Sequence, residues 1–251
     1  MSADSRQVYR DLDIGTGKIT HAEMRGIPHY CIDIADPEDE YAVTEYVQVA
    51  QAAIADIVSR GKVPIVVGGT GFYIDVLLGR RGVNNTKPDA KLRQRLSALP
   101  LSELQKELQK LDIARYASID HSNPRRLMRA IEIAKNPEVS PRDIKVEPCY
   151  NVLWIGLTMG REELKTRIVE RLRIRLAAGM LDEARALHER GLSYKRMESL
   201  GLEYRYMARH LQGLLTYDEM VKELELRIYQ YAKRQMTWFK KNPDIEWIDI
   251  A

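Results

Sequence analysis

Ser2-Ala3-Asp4-Ser5-Arg6-Gln7-Val8-Tyr9 sets one carboxylate beside hydroxyls, a guanidinium, an amide and a phenol. A carboxylate in such company can take a proton from a substrate, provided that a rigid element holds it. Taken alone, the segment reads as an exposed tail, because polar termini fray. Placed at the end of a strand, it would be half of an active site. Arg167, Arg171 and Arg175 recur at i, i+4 spacing and share one helical face, beside an apolar row of Leu164, Ile168 and Leu172. A guanidinium row suits an anion such as pyrophosphate, because arginine offers fixed, forked donors. It is equally a solvated face balanced by Glu163 and Glu170. Gly68-Gly69-Thr70-Gly71 would let the backbone approach a ligand closely, with the Thr70 hydroxyl as a partner, or it is simply a tight turn. Near the C terminus, Lys233, Arg234, Trp238, Phe239, Lys240 and Lys241 interleave basic and aromatic groups. That mixture can hold phosphates and stack bases. The alternative is an amphipathic helix with Trp238 in the core and its lysines in water.

These groups need elements to position them. Asp13-Ile14-Gly15-Thr16-Gly17-Lys18 resembles a phosphate loop but fails the pattern, with Ile19 where Ser or Thr would bind magnesium and Leu12 where the first glycine belongs. It reads as a flexible loop near a ligand, and the failed pattern argues against a nucleotide kinase or related NTPase. Ile27–Ile34 predicts a short strand, stopped by Asp36-Pro37. From Tyr41 to Arg60, Val43, Val47, Ala50, Ile54, Ile57 and Val58 form one helical stripe that Gly61 closes. Val63–Val67 predicts a buried parallel strand, followed by the glycine turn and a helix over Phe72–Leu78. This is the βα grammar of a parallel sheet, whose ligands bind at the carboxyl ends of strands.

Pro88–Lys135 changes character, with short helical patterns that carry Arg93, Arg95, Arg125, Arg126 and Arg129. It reads as a helical insertion, joined back through a connector containing Pro137, Pro141 and Pro148. The domain reading is therefore an α/β core over 1–86 and 146–251, interrupted by a helical domain over 87–145. Val152–Leu157 predicts a second buried strand. Helices follow over Arg161–Ala178, up to Gly191, over Arg196–Leu211 and over Tyr217–Lys241, before a closing strand Ile245–Ile250.

The 251 residues can bury a sizeable core, and 45% apolar with 30% charged residues is ordinary for a soluble globular chain. A net charge of +3 is weak, so any affinity for nucleic acid must come from local clusters. Cys31 and Cys149 form no CxxC or Cys/His cluster, which argues against a zinc site or a disulfide framework and suits a reducing compartment. No apolar run approaches a membrane span and the first residues are too polar for a signal peptide, so a cytoplasmic location is expected.

Several segments together resemble one family, the tRNA dimethylallyltransferases (tRNA isopentenyltransferases). They are SADSRQVY, DIGTGK, IPHYCIDIADP, VPIVVGGTGFYI, NPRRLMRAIEI and AKRQMTWFK, in the family's order and spanning nearly the whole chain. The resemblance implies a P-loop-NTPase-like parallel-sheet core with a helical insertion. It also implies transfer of a dimethylallyl group from dimethylallyl diphosphate to N6 of adenine 37 in the anticodon stem-loop of tRNA. Asp4 matches the family's general base and Arg171 its catalytic arginine, which stabilises the diphosphate together with Mg²⁺. Thr70 and Arg93 match residues near the reacting base, and Ser5, Arg6 and Gln7 continue the contact from Asp4. Arg125, Arg126, Leu127, Met128 and Arg129 match one tRNA-binding stretch. Leu200, Gly201, Leu202, Glu203, Tyr204 and Arg205 match another, with Glu203 where glycine is common. No residue is assigned as a metal ligand, and a monomer is expected. The family's strand and GPTxSGKT-type P-loop, which precede the segment equivalent to Ser2–Tyr9, are absent from this chain, so turnover by it is expected to be impaired. A non-catalytic tRNA-binding protein of the same fold is the alternative.

Overall fold

The computed structural model describes residues 1–84, 86, 89–136 and 150–250. The connector prolines 137, 141 and 148 and Cys149 lie outside the described residues. In chain order the elements are α1 (His21–Met24), α2 (Val43–Ser59), α3 (Gly71–Leu77), α4 (Ala90–Ser97), α5 (Leu101–Leu111), α6 (Ile113–Ser118), α7 (Pro124–Lys135), β1 (Trp154–Thr158), α8 (Arg161–Ala177), α9 (Met180–Glu189), α10 (Tyr194–Leu200), α11 (Leu202–Leu211), α12 (Tyr217–Phe239) and β2 (Ile245–Asp249). The chain divides into two compact units, Met1–Leu78 with Pro148–Ala251, and Gly79–Glu147.

The helices follow from their sequences. In α2 Val47, Ala50, Ile54 and Ile57 of the predicted stripe are buried together with Tyr46 and Ala53, while Val43 is half-buried and Val58 exposed, and the Glu45 carboxylate accepts the Ala42 N–H at 2.6 Å, which caps the first turn. A reciprocal Thr216–Glu219 capping box starts α12. The helix predicted over Arg196–Leu211 is two helices. Gly201 lies between them at φ +143, a conformation that breaks the helical ladder and favours glycine.

The sheet is small and parallel: Trp154 pairs with Ile245 and Thr158 with Asp249. Isolated parallel bridges join Ser2 to Val67 and Tyr9 to Ala35. The strand expected over Ile27–Ile34 does not form, because Cys31 (φ 63°) and Asp33 (φ 55°) take left-handed conformations that interrupt an extended run. The runs expected to be buried strands are open to water. Val63, Ile65 and Val67 are exposed, as are Leu153, Ile155 and Leu157, and among the described residues no element covers them.

The core of the larger unit sits elsewhere. Val8, Tyr9 and Leu12 pack with Leu172 of α8, Met180 and Leu187 of α9, Met197 and Leu200 of α10, Tyr204 and Met207 of α11 and Met220 and Leu224 of α12. The opening segment is therefore not a tail: Ala3 and Val8 are fully buried. The smaller unit has its own core of Leu96, Leu104, Leu108, Leu127, Ala130 and Ile131. Among the described residues no helix is long and apolar enough to cross a membrane.

Candidate active site

Extended backbone holds Asp4 in place. The Ala3 N–H donates to the Val67 carbonyl (2.7 Å) and the Val67 N–H to the Met1 carbonyl (2.9 Å). At the end of this pairing the chain turns, and Asp4 Oδ1 accepts the N–H groups of Arg6 (2.7 Å) and Gln7 (3.3 Å). The Thr70 hydroxyl oxygen accepts the Ser5 N–H at 3.0 Å, while the Thr70 N–H donates to Ala3 O at 3.1 Å. Thr70 is thus locked beside Asp4.

The glycines around Thr70 act as seats. A Cβ on Gly68 would lie 2.3 Å from Ala3 O, one on Gly69 1.9 Å from Gln235 Nε2, and one on Gly71 2.3 Å from the Trp238 ring. Gln235 donates to the Gly69 carbonyl at 3.0 Å, and the Trp238 indole N–H donates to Asp75 at 3.0 Å with its ring edge-on to Phe72. Trp238 therefore ties α12 to α3 and is not a free stacking platform. Tyr231, on the same helix, faces Thr70 and Asp4. Burial, then the Asp4 charge, pushes its phenol up, so it stays a proton donor near neutral pH.

Across from Asp4, Gln7 links to the glycine loop. Its amide accepts from the Ser2 hydroxyl (3.1 Å) and donates to the Gly17 carbonyl (3.3 Å). Gly17 has φ +61°, and a Cβ there would lie 2.3 Å from Nη2 of Arg171. The arginine row of α8 splits into three fates. Arg167 pairs with Glu163 at 2.7 Å. Arg175 turns inward, donating to the Ile14 carbonyl at 2.7 Å and to the Gly15 carbonyl, and pairs with Glu203 at 3.4 Å. Arg171 is exposed and, among the described residues, has neither a hydrogen-bond nor an ion-pair partner. Its charge is felt by Glu23, whose carboxyl the Thr20 hydrogen bonds and then Arg171 hold below the usual range.

The Asp13–Lys18 loop, expected to be flexible, is held rigidly. The Lys18 ammonium is almost fully buried, bonded to Tyr9 O (2.8 Å), Asp13 (2.6 Å) and Asp33. Glu183 of α9 accepts three consecutive loop N–H groups. Sequence reasoning missed Glu183, because it stands 169 residues from Ile14 in a helix with no motif around it.

The stretch Leu200–Arg205 underlies the loop. Leu200 and Tyr204 are core residues and offer no surface to a ligand. Gly201 instead makes room for the Arg6 side chain, whose Nε would lie 3.3 Å from an added Cβ, and Arg205 donates to Glu198 O at 3.1 Å. Leu202 is half-buried beside them. Glu203, the departure from the family pattern, is the carboxylate that pairs with Arg175.

The smaller unit holds the other basic residues. Arg93 Nε donates to Glu132 at 2.6 Å, and Arg129 reaches the same fully buried carboxylate at 3.2 Å and the Thr86 carbonyl at 2.7 Å. These two arginines neutralise Glu132. Leu127 is core and Met128 packs against that core. Arg125 and Arg126 are exposed, and with Arg115 and Arg129 they line an open cleft of about 820 Å³. Among the described residues no group of three His, Cys, Asp or Glu side chains is placed to hold a metal ion.

The profile of the family described as IPP transferase matches residues 7–242. This chain belongs to the IPP transferase family. The tRNA dimethylallyltransferase 2 of Shewanella sediminis is 42% identical over 241 residues, covering 96% of this chain and 80% of that protein. The full-length tRNA isopentenylpyrophosphate transferase of Bacillus halodurans superposes with a TM-score of 0.71 at 36% identity, over 99% of this chain and 80% of that one. A eukaryotic dimethylallyltransferase captured acting on tRNA gives a TM-score of 0.80 at 27% identity, over 99% of this chain and 66% of the other. Membership makes this protein an enzyme of the transferase class with an α/β fold, here helix-rich around a small parallel sheet.

Proposed function

We propose that the protein transfers a dimethylallyl group from dimethylallyl diphosphate to N6 of adenine 37 in the anticodon stem-loop of tRNA. The observation that carries this reading is the chain of contacts from Asp4 through Gln7 and Gly17 to Arg171, which sets a proton acceptor and an exposed cation in one unit. The N6 nitrogen forms a bond to C1 of the dimethylallyl group as the C1–O bond breaks. The diphosphate leaves with that electron pair, and the N6 proton passes to Asp4. A neutral aromatic amine is a weak nucleophile, so its proton must leave as the bond forms. The Asp4 oxygen that does not cap the turn is the acceptor. Arg171 meets the growing charge on the leaving diphosphate.

Thr70, Ser5, Arg6 and Gln7 shape the adenine side, and Tyr231 joins them. The exposed Arg125 and Arg126 of the smaller unit hold tRNA phosphates, while Arg93, Arg129 and the Leu200–Arg205 stretch support the binding surfaces. Mg²⁺ enters this reading as an ion carried by the diphosphate. Cytoplasmic location and a monomeric state complete the proposal.

The test is steady-state kinetics of the intact protein with dimethylallyl diphosphate and an anticodon stem-loop RNA. Asp4→Asn and Arg171→Ala should each lower kcat by roughly a hundredfold or more with RNA binding kept within about threefold. Unchanged kcat in Asp4→Asn would remove Asp4 from the chemistry.

A further inference from the structure

Three consecutive peptide N–H groups that converge on one point form a nest, a backbone shape that receives an anion. In this protein the nest of the glycine loop is filled from within. Glu183 Oε2 accepts the N–H groups of Asp13 (3.0 Å) and Ile14 (2.7 Å), and Oε1 accepts that of Gly15 (2.9 Å) together with the Tyr204 hydroxyl (2.6 Å). Arg175 takes the carbonyl side of the same loop, at Ile14 and Gly15. Both edges of the peptide chain are therefore tied to helices α9 and α8. Gly15 cannot carry a side chain here, because a Cβ would lie 2.4 Å from the Tyr204 hydroxyl. Tyr204 is itself 1% exposed, and burial, then the Glu183 charge, keeps its phenol protonated.

The far end of this loop carries the catalytic geometry. Gly17 is the residue against which the Arg171 guanidinium lies, and its carbonyl receives the Gln7 amide that leads back to Asp4. Arg171 makes no hydrogen bond or ion pair among the described residues and shares charge only at longer range with Glu23, so the loop backbone at Gly17 is its nearest support.

We propose that Glu183, backed by Arg175 and Tyr204, is a positioning residue: it holds the Asp13–Lys18 loop so that Gly17 seats the Arg171 guanidinium against the departing diphosphate. This rests on the role given to Arg171 above. A structural contact with no bearing on catalysis would leave turnover per folded molecule unchanged.

The decisive variant is Glu183→Gln in the intact protein. It keeps the side-chain shape but points an NH₂ group at N–H donors. The expected result is a fall in kcat of roughly ten- to a hundredfold with the KM for RNA held within about twofold. In an Arg171→Ala background the same substitution should lower kcat by less than about twofold, because the two residues act through one group. Full additivity, or an unchanged kcat, would overturn the proposal.

A second readout needs no turnover. ¹⁵N relaxation of the Arg171 Nε–H and amide exchange of Ile14–Gly17 should both show increased mobility in Glu183→Gln. An Arg171 signal as ordered as in the unsubstituted protein would refute the coupling. If the unsubstituted protein fails to alkylate RNA, the proposed function falls while the relaxation measurement still decides the positioning role. Should Glu183→Gln not fold, Tyr204→Phe removes only one of the four donors and is read by the same two measurements. A smaller loosening of Arg171 supports the proposal, and none overturns it.

Discussion

Replacing Arg93 by alanine takes two donors from Glu132, a carboxylate with no exposed surface. The Nε bond is 2.6 Å and the Nη2 bond 3.3 Å, and what remains is Arg129 at 3.2 Å with a long contact from the Asp89 N–H at 3.4 Å. Hydrogen bonds to charged groups contribute about 1.5–3 kcal/mol each in mutational series. The Arg93 side chain is 38% exposed, so solvent screening reduces its share, and Arg129 still compensates part of the buried charge. The net loss is therefore about 2 kcal/mol. At about 2–4 °C per kcal/mol for a chain of this size, the melting temperature should fall by about 4–8 °C. Arg93→Lys keeps the charge without the fork and should recover less than half of that loss. Thermal denaturation followed by circular dichroism reads the shift. A melting temperature within about 1 °C of the unsubstituted protein, with a loss of RNA affinity alone, would refute the reasoning and make Arg93 a direct RNA contact.

Three further outcomes follow from particular contacts. Gly17→Ala places a methyl group 2.3 Å from Arg171 at φ +61°, so it should cost about 1 kcal/mol of stability and lower kcat at least about tenfold, measured by denaturant unfolding and by single-turnover alkylation. Tyr204 has its phenol raised by burial and by Glu183, so its contribution to stability is complete below about pH 10 and is lost as pH rises above that. Melting curves against pH should show this alkaline loss, and Tyr204→Phe should flatten it. The exposed apolar edges make the chain prone to association, so Ile65→Thr with Leu157→Thr should raise the concentration at which light scattering detects aggregates, with no more than a small change in melting temperature.

The helices were legible because their signals are local. The apolar stripe of α2, the glycine that closes it and the apolar row of α8 all lie within a few residues of the element they specify. The strands were less so. An apolar run such as Val63–Val67 predicts extended structure but not what will cover it, and the left-handed conformation at Cys31 carries no residue-type signal, while that at Asp33 carries only the mild preference of aspartate. Asp4 and Arg171 could be named from segment order, yet their linkage could not, because Gln7, Gly17, Arg175 and Glu183 meet only after α8 and α9 pack on the opening segment. The arginine row shows the limit clearly. Identical spacing gave one surface ion pair, one loop anchor and one exposed guanidinium seated on Gly17, and only the packing around each distinguishes them. The basic and aromatic run near the C terminus resolved in the same way, with Trp238 bonded to Asp75 and stacked on Gly71.

The central claim is that this protein moves a dimethylallyl group onto N6 of adenine 37. The most direct measurement is mass spectrometry of the nucleosides from tRNA incubated with the intact protein and dimethylallyl diphosphate. N6-Dimethylallyl adenosine is expected at that position, formed with one equivalent of diphosphate, and is expected to be lost in Asp4→Asn. Tight tRNA binding with no alkylated adenosine would contradict it, and would leave a tRNA-binding protein that keeps the fold without the chemistry.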